Sequence, residues 1–229
     1  TKPVINALGP RTLLGGSQPH PDVISVMGEA GRYYADMDEL LIGSGKVISE
    51  MIDCSSALVT SGCAAALVLG TAACVTGKDA EKMSQLPNVD GLKQEVVIQA
   101  SQRYKYDRVV RMVGVKMITA GKPGSTSRKD LEDDLNYNTA AVLFPDIDSL
   151  GDILSLEDVI SIAHDRDIPV IVDSAYRVFP TEIFQNISNL GADLFGFGAK
   201  YFGAPNSTGL LCGRDDLVEA ARLQSFSGF

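Results

Sequence analysis

Short apolar runs alternate with amphipathic segments along most of the chain. Runs of four or five mostly apolar residues predict strands at 57–60, 95–99, 115–118, 140–144, 169–172, 192–195 and 209–212. The segments between several of these runs space their apolar residues as a helix does. Strands that alternate with helices in this way predict an α/β fold, with a mainly parallel sheet covered by helices on both faces.

Cap and turn residues place the ends of several predicted helices. Asp22 is expected to cap a helix that runs to about Tyr34, and a second helix is predicted from Asp38 to Ile52. An alanine-rich helix should follow Cys63 and end near Gly77. Further helical patterns begin near residues 106, 126, 155, 181 and 214, whereas residues 78–91 form the most loop-like internal segment.

Glycine and proline are frequent in the first 21 residues, which therefore predict an extended arm. Residues 22–229 are then expected to form one large domain.

The composition argues against a nucleic-acid-binding, membrane, secreted or metal-binding protein. The chain has 229 residues, 45% apolar content and a formal net charge of −9, so its surface should repel nucleic acids. There is no apolar run long enough for a transmembrane helix and no signal-peptide layout. Four cysteines without a CxxC pair, and two histidines, argue against a metal site and indicate reduced thiols in a cytoplasmic protein.

One lysine has surroundings that are unusual for a surface residue. Lys200 lies among aromatic residues at positions 195, 197, 201 and 202, with glycines at 196, 198 and 203. A lysine in such a setting can be desolvated, which frees an amine for Schiff-base chemistry. Lys200 is therefore a candidate catalytic residue.

An acidic residue ends the apolar run before it. Asp173 follows Val172 at the carboxyl end of a predicted strand, where ligands bind in open α/β sheets. A carboxylate there can hold a protonated pyridine nitrogen, and Ala175 can lie against one face of the ring. Together, Asp173 and Lys200 indicate pyridoxal 5'-phosphate and an amino compound as substrate.

A third motif supplies a place for the phosphate. Ser61, Gly62 and Cys63 follow a predicted strand and open a helix, whose free N–H groups suit an anion. By contrast, the run Gly43-Ser44-Gly45-Lys46 is not a P-loop, because Val47 stands where Ser or Thr is needed and no strand precedes it.

With these motifs in this order, the chain resembles the fold-type-I pyridoxal-phosphate enzymes. It is similar in particular to the group of bacterial seryl-tRNA(Sec) selenium transferase and the D-glucosaminate-6-phosphate ammonia-lyases. The similar segments run from Val4-Ile5-Asn6-Ala7-Leu8-Gly9 through Val172-Asp173-Ser174-Ala175 to Gly203-Ala204-Pro205-Asn206-Ser207-Thr208-Gly209.

The resemblance implies a role for each candidate residue. Lys200 would carry the cofactor, Asp173 would partner its ring nitrogen, and residues 61–63 would bind its phosphate. Ser207 and Thr208 would reach the phosphate of a neighbouring subunit, in a homodimer or larger homo-oligomer with active sites between subunits.

The chain departs from the group at three places. Gln102 stands where the group often has a histidine that stacks on the cofactor ring, and no serine lies shortly before Lys200. The group also carries a C-terminal small domain that helps to bind substrate, and this sequence ends at Phe229, before it. The sequence is therefore expected to be either a fragment or a reduced relative that has lost part of the substrate site.

These observations favour a lyase that removes a β-leaving group or ammonia from an amino acid or amino sugar acid. Arg11, Arg103 and Arg177 are candidates for holding a substrate carboxylate, with no choice among them. The alternatives are a transferase acting on a seryl-type substrate and a non-catalytic dimeric scaffold that kept the fold.

Overall fold

Seven strands form one sheet in the computed structural model of the chain, which describes residues 2–148 and 151–228. Their order across the sheet is β1-β7-β6-β5-β4-β2-β3. The strand β7 pairs antiparallel with β1 and β6, and the remaining pairs are parallel. The strands are β1 (Ser56–Thr60), β2 (Glu95–Gln99), β3 (Lys116–Ala120), β4 (Thr139–Pro145), β5 (Val170–Asp173), β6 (Leu194–Phe197) and β7 (Gly209–Gly213).

Eight α-helices connect or flank these strands in the described residues. They are α1 (Pro21–Ala30), α2 (Met37–Ile52), α3 (Cys63–Thr76), α4 (Ala80–Gln85), α5 (Arg128–Asp134), α6 (Leu156–His164), α7 (Glu182–Asn189) and α8 (Asp215–Leu223). Short 3₁₀ turns lie at Thr12–Leu14, Ala100–Gln102, Asp107–Val113 and Ala199–Tyr201.

The helices cover both faces of the sheet, so the predicted α/β fold is confirmed. Residues of α3 and α8 join one buried apolar cluster, and residues of α5, α6 and α7 join the other. The helix α3 is apolar on nearly every side, because it packs between the sheet and α8. The strands β4 and β5 are buried along almost their whole length, as parallel strands between two helical layers must be.

Three element predictions were wrong in detail. The first helix is capped by His20 and not by Asp22, and it ends at Ala30 and not near Tyr34. The loop-like segment 78–91 contains α4, because the Asp79 carboxylate caps it by accepting the N–H groups of Glu81 and Lys82 at 3.0 and 3.2 Å. The helical pattern after Tyr106 forms a 3₁₀ turn that Gly114 ends at a φ of 103°.

The N-terminal residues lie on the surface. Residues 2–20 have one short 3₁₀ turn and run against the carboxyl edge of the sheet at the Ala199–Tyr201 turn. None of the described helices has both the length and the apolar character that crossing a bilayer requires.

Gly43 and Gly45, which resemble part of a P-loop, lie in α2, and one of them, Gly45, is needed for close packing. A Cβ on Gly45 would lie 2.2 Å from the Ala57 carbonyl oxygen, whereas a Cβ on Gly43 would meet no atom of the described residues within 4 Å. The helix α2 thus approaches β1 at Gly45 closely enough to exclude any side chain.

We therefore expect opposite effects from two alanine substitutions in α2. Gly45→Ala should lower the free energy of unfolding by about 1–3 kcal/mol, because the methyl group forces α2 away from β1. Gly43→Ala should raise it by roughly 0.5–1 kcal/mol, because alanine favours an exposed helix position. Urea unfolding of both variants measures this, and equal effects would contradict the packing role of Gly45.

Candidate active site

One cavity of about 390 Å³ gathers most of the predicted site residues. It lies where β1, β5 and β6 end, and its volume is within the usual range for small-molecule sites. Residues from all three motifs line it: Ser61, Gly62, Cys63, Asp173, Ala175, Lys200 and Ser207. Thr12, Tyr104, Tyr106 and Tyr201 line it as well.

The start of α3 forms one wall of this cavity. Gly62 adopts a φ of 97° that favours glycine, and a Cβ there would meet no atom within 4 Å in the part of the chain that the structure describes. In the described residues, no side chain caps this helix, so its first N–H groups remain available to an anion. Gly209 makes the wall possible, because a Cβ on it would lie 2.3 Å from the Gly62 carbonyl carbon.

Asp173 is buried and accepts hydrogen bonds from three donors. The Ala175 N–H lies 3.1 Å and the Cys63 thiol 3.5 Å from Oδ1, and the Tyr104 hydroxyl donates to Oδ2. Burial raises the pKa of the Asp173 carboxyl above its usual value, and these hydrogen bonds oppose the shift.

The two side-chain donors both keep their protons. Burial raises the pKa of the Cys63 thiol well above its ordinary value, and the Asp173 charge adds to this shift. Burial and the same carboxylate also raise the pKa of Tyr104. Both groups therefore donate to Asp173 at neutral pH.

Lys200 lies on the turn Ala199–Tyr201, directly after β6, and is half-buried. Its Nζ is 5.4 Å from the centre of the Tyr201 ring. The backbone of Lys200 is held from the N-terminal arm, since the Ser17 N–H and hydroxyl both donate to the Lys200 carbonyl at 2.7 Å. The Ser17 hydroxyl also accepts the Gly203 N–H at 2.8 Å, so one serine connects both ends of this turn.

Several predicted residues lie elsewhere. Gln102 is not among the described residues that line the cavity: it is buried, donates to the Pro145 carbonyl at 2.9 Å and accepts from Gln99 at 3.0 Å. Its side chain therefore joins neighbouring strand ends and does not reach the place expected for a ring-stacking group. Thr208 lines an adjacent apolar cavity with Phe197 and Leu210.

The three candidate arginines are also not among the described residues that line the cavity. Arg103 bonds Asp107 at 2.5 Å and Thr119 at 3.0 Å. Arg177 pairs with Asp146 at 3.3 Å and with Asp148, and Arg11 lies exposed at the start of the arm's 3₁₀ turn. Their role toward a substrate carboxylate stays a prediction.

Tyr104 and Ser17 are not among the predicted site residues. The aromatic residues Tyr104 and Tyr106 follow a predicted strand closely, and that position was a signal for Tyr104. For Ser17 there was no local signal, because its partner is 183 residues away.

The donor set of the cavity fits pyridoxal phosphate. The cofactor needs an amine for its aldehyde, an acid for its ring nitrogen and an anion site for its phosphate. Lys200, Asp173 and the uncapped start of α3 supply these three groups around one space.

Comparisons with known proteins agree with this geometry. The family model described as "Aminotransferase class-V" matches residues 100–229. The chain is 30% identical to a 5'-C-glycyluridine monooxygenase-decarboxylase of a Streptomyces species over 99% of its own length. It is 29% identical, over 97% of its length, to a D-glucosaminate-6-phosphate ammonia lyase of Salmonella typhimurium strain 14028s / SGSC 2262.

A solved structure of a D-glucosaminate-6-phosphate ammonia-lyase superposes closely, with a TM-score of 0.92, 28% identity and 98% of this chain covered. The chain spans 57% and 61% of the lengths of the two curated relatives. These matches confirm the resemblance to fold-type-I enzymes and the prediction of pyridoxal phosphate as cofactor.

We expect Ser17→Ala to loosen the turn that carries Lys200. The variant loses two hydrogen bonds of its hydroxyl, each with a net value of about 0.5–1.5 kcal/mol. Amide hydrogen exchange of residues 199–204 should therefore become roughly tenfold faster. Ser84→Ala is the control, because among the described residues that hydroxyl bonds the Ala80 carbonyl of its own helix. Unchanged exchange near Lys200 in Ser17→Ala would refute the tether.

Proposed function

The chain belongs to the class-V aminotransferase family, and from this premise we propose that it is the cofactor-binding part of a pyridoxal-phosphate lyase. The substrate would be an amino acid or amino sugar acid that loses a β-leaving group or ammonia. The observation that carries the proposal is the meeting of Lys200, Asp173 and the start of α3 at one cavity.

Each of these groups has a defined task. When bound, pyridoxal phosphate supplies a ring that withdraws electrons from the substrate's α-carbon. The Lys200 amine would hold the cofactor's aldehyde and, when free, would take the substrate's α-proton as general base. The Asp173 carboxylate holds a proton on the ring nitrogen, and the N–H groups of α3 orient the phosphate.

The names of the two curated relatives indicate the types of reaction that similar proteins catalyse. The Salmonella relative is named as an ammonia lyase, which agrees with elimination from an amino sugar acid. The Streptomyces relative is named as a monooxygenase-decarboxylase, so this fold serves more than one reaction. A transferase on a seryl-type substrate remains the second candidate. The presence of both Lys200 and Asp173 in the cavity speaks against a non-catalytic scaffold.

Lys200→Ala tests both cofactor attachment and reaction. Borohydride makes an imine between pyridoxal phosphate and a lysine permanent, so mass spectrometry should find one adduct on the Lys200 peptide of the wild type. The variant should lose that adduct, and ammonia release from β-substituted amino acids or amino sugar acids should fall by roughly 10²–10⁴-fold.

Lys129→Ala is the matched control, because Lys129 is exposed on α5 and pairs with Asp133 at 3.3 Å. It should keep both the adduct and the activity. Adducts scattered over surface lysines, or an adduct that persists in Lys200→Ala, would contradict the role of Lys200. A substrate that exchanges its β-group without releasing ammonia would favour the transferase.

A homodimer is part of the proposal. The N-terminal part of the chain exposes apolar side chains that monomers normally bury, among them Ile5 and Leu13, which are 98% and 97% exposed. The cavity is also lined by Thr12 from the same arm, so a partner that covers the arm would lie beside the site.

Light scattering should give about twice the chain mass of 24.4 kDa. Leu13→Asp should shift the protein toward monomer, because a charge at a dimer interface is costly to bury. Met112→Asp should leave the mass unchanged, since Met112 is an exposed apolar residue outside the arm. A wild-type mass of one chain would remove the dimer from the proposal.

A further inference from the structure

Tyr104 touches the acid of the site and has no role in the function described above. It lies between the 3₁₀ turns Ala100–Gln102 and Asp107–Val113, and its hydroxyl donates to Asp173 Oδ2. Its backbone N–H donates to Asp107 Oδ2 at 3.2 Å, and its ring meets Tyr106 edge-on with 6.1 Å between centres. The phenol is therefore held against Asp173 by both its main chain and its ring.

Hydrogen bonding leaves Asp173 with limited acceptor capacity. An ionised carboxylate offers about four lone-pair sites. The Ala175 N–H and the Cys63 thiol share Oδ1, and Tyr104 uses part of Oδ2. The remaining lone pair therefore lies on Oδ2, beside the Tyr104 hydroxyl. The position of the phenol thus determines which part of the carboxylate a ring nitrogen can reach.

The same hydrogen bond influences whether Asp173 is charged. Burial favours the neutral acid and raises the pKa of Asp173, and Asp146 adds to this effect from the end of β4. The Tyr104 hydroxyl is the largest influence in the opposite direction, ahead of the Ala175 N–H and the Cys63 thiol. Lys200 lines the same cavity.

We propose that Tyr104 is a positioning residue for the cofactor, whose phenol orients the Asp173 carboxylate and keeps it ionised for the ring nitrogen. This inference rests on the proposed function. It assigns Tyr104 a part in cofactor binding that acts through Asp173.

The test is the affinity of the cofactor-free protein for pyridoxal phosphate at two pH values. Removing the hydroxyl in Tyr104→Phe lets the pKa of Asp173 rise further, so the carboxylate protonates as the pH falls. Relative to wild type, the dissociation constant should rise roughly tenfold or more near pH 6 and clearly less near pH 8.5. The cofactor's own ionisations affect both proteins equally. The ratio of the variant's dissociation constant to that of the wild type therefore reports the protonation of Asp173.

Two further variants act as controls. Tyr137→Phe removes an exposed phenol that does not line the cavity as described, and it should leave the ratio near one at both pH values. In an Asp173→Asn background no carboxylate remains to titrate, so adding Tyr104→Phe should bring no pH-dependent loss.

The outcomes separate this inference from the proposed function. Wild-type protein without saturable pyridoxal-phosphate binding would overturn the proposed function. Saturable wild-type binding, with a Tyr104→Phe ratio that is near one or equal at both pH values, would overturn the role of Tyr104 alone. Urea unfolding confirms that each variant is folded, and if Tyr104→Phe is not, Tyr104→Trp keeps a ring and an N–H donor and should retain the wild-type pH profile.

Discussion

The close contact between the start of α3 and β7 is the constraint on which the site depends. The backbone of β7 at Gly209 reaches the backbone of Gly62 and Cys63, with no space for a side chain between them. This contact brings the free N–H groups of α3 to the edge of the sheet where β5 delivers Asp173 and β6 delivers Lys200. A side chain at position 209 would move the anion-binding wall away from the amine and the acid.

The predictable part of the site consists of residues that directly follow strands. Asp173, Lys200 and Ser61-Gly62-Cys63 each come after an apolar run, and strand ends that share an edge must lie close together. The layered fold was predictable for the same reason, because apolar runs of strand length alternate with helical spacing. The small helix α4 also has a local signal in its cap, Asp79, although the composition of residues 78–91 predicts a loop.

The remaining contacts depend on tertiary structure. Gln102 follows β2, as a cofactor-facing residue should, yet it turns inward because the Pro145 carbonyl and Gln99 offer it buried partners. Tyr104 reaches the acid from an irregular segment for which no periodic pattern applies. Sequence spacing thus located the reactive groups, whereas the groups that hold them became visible only with the packing of the chain.

The tether between Ser17 and Lys200 has a consequence for the order in which the molecule assembles. Ser17 is synthesised before the carbonyl that it binds, which lies 183 residues later in the chain. The arm must therefore wait for β6 and its following turn before it can dock, and contacts of such long sequence separation form slowly. Maturation of the lysine site should accordingly be a late event of folding, after the sheet and its helices are in place.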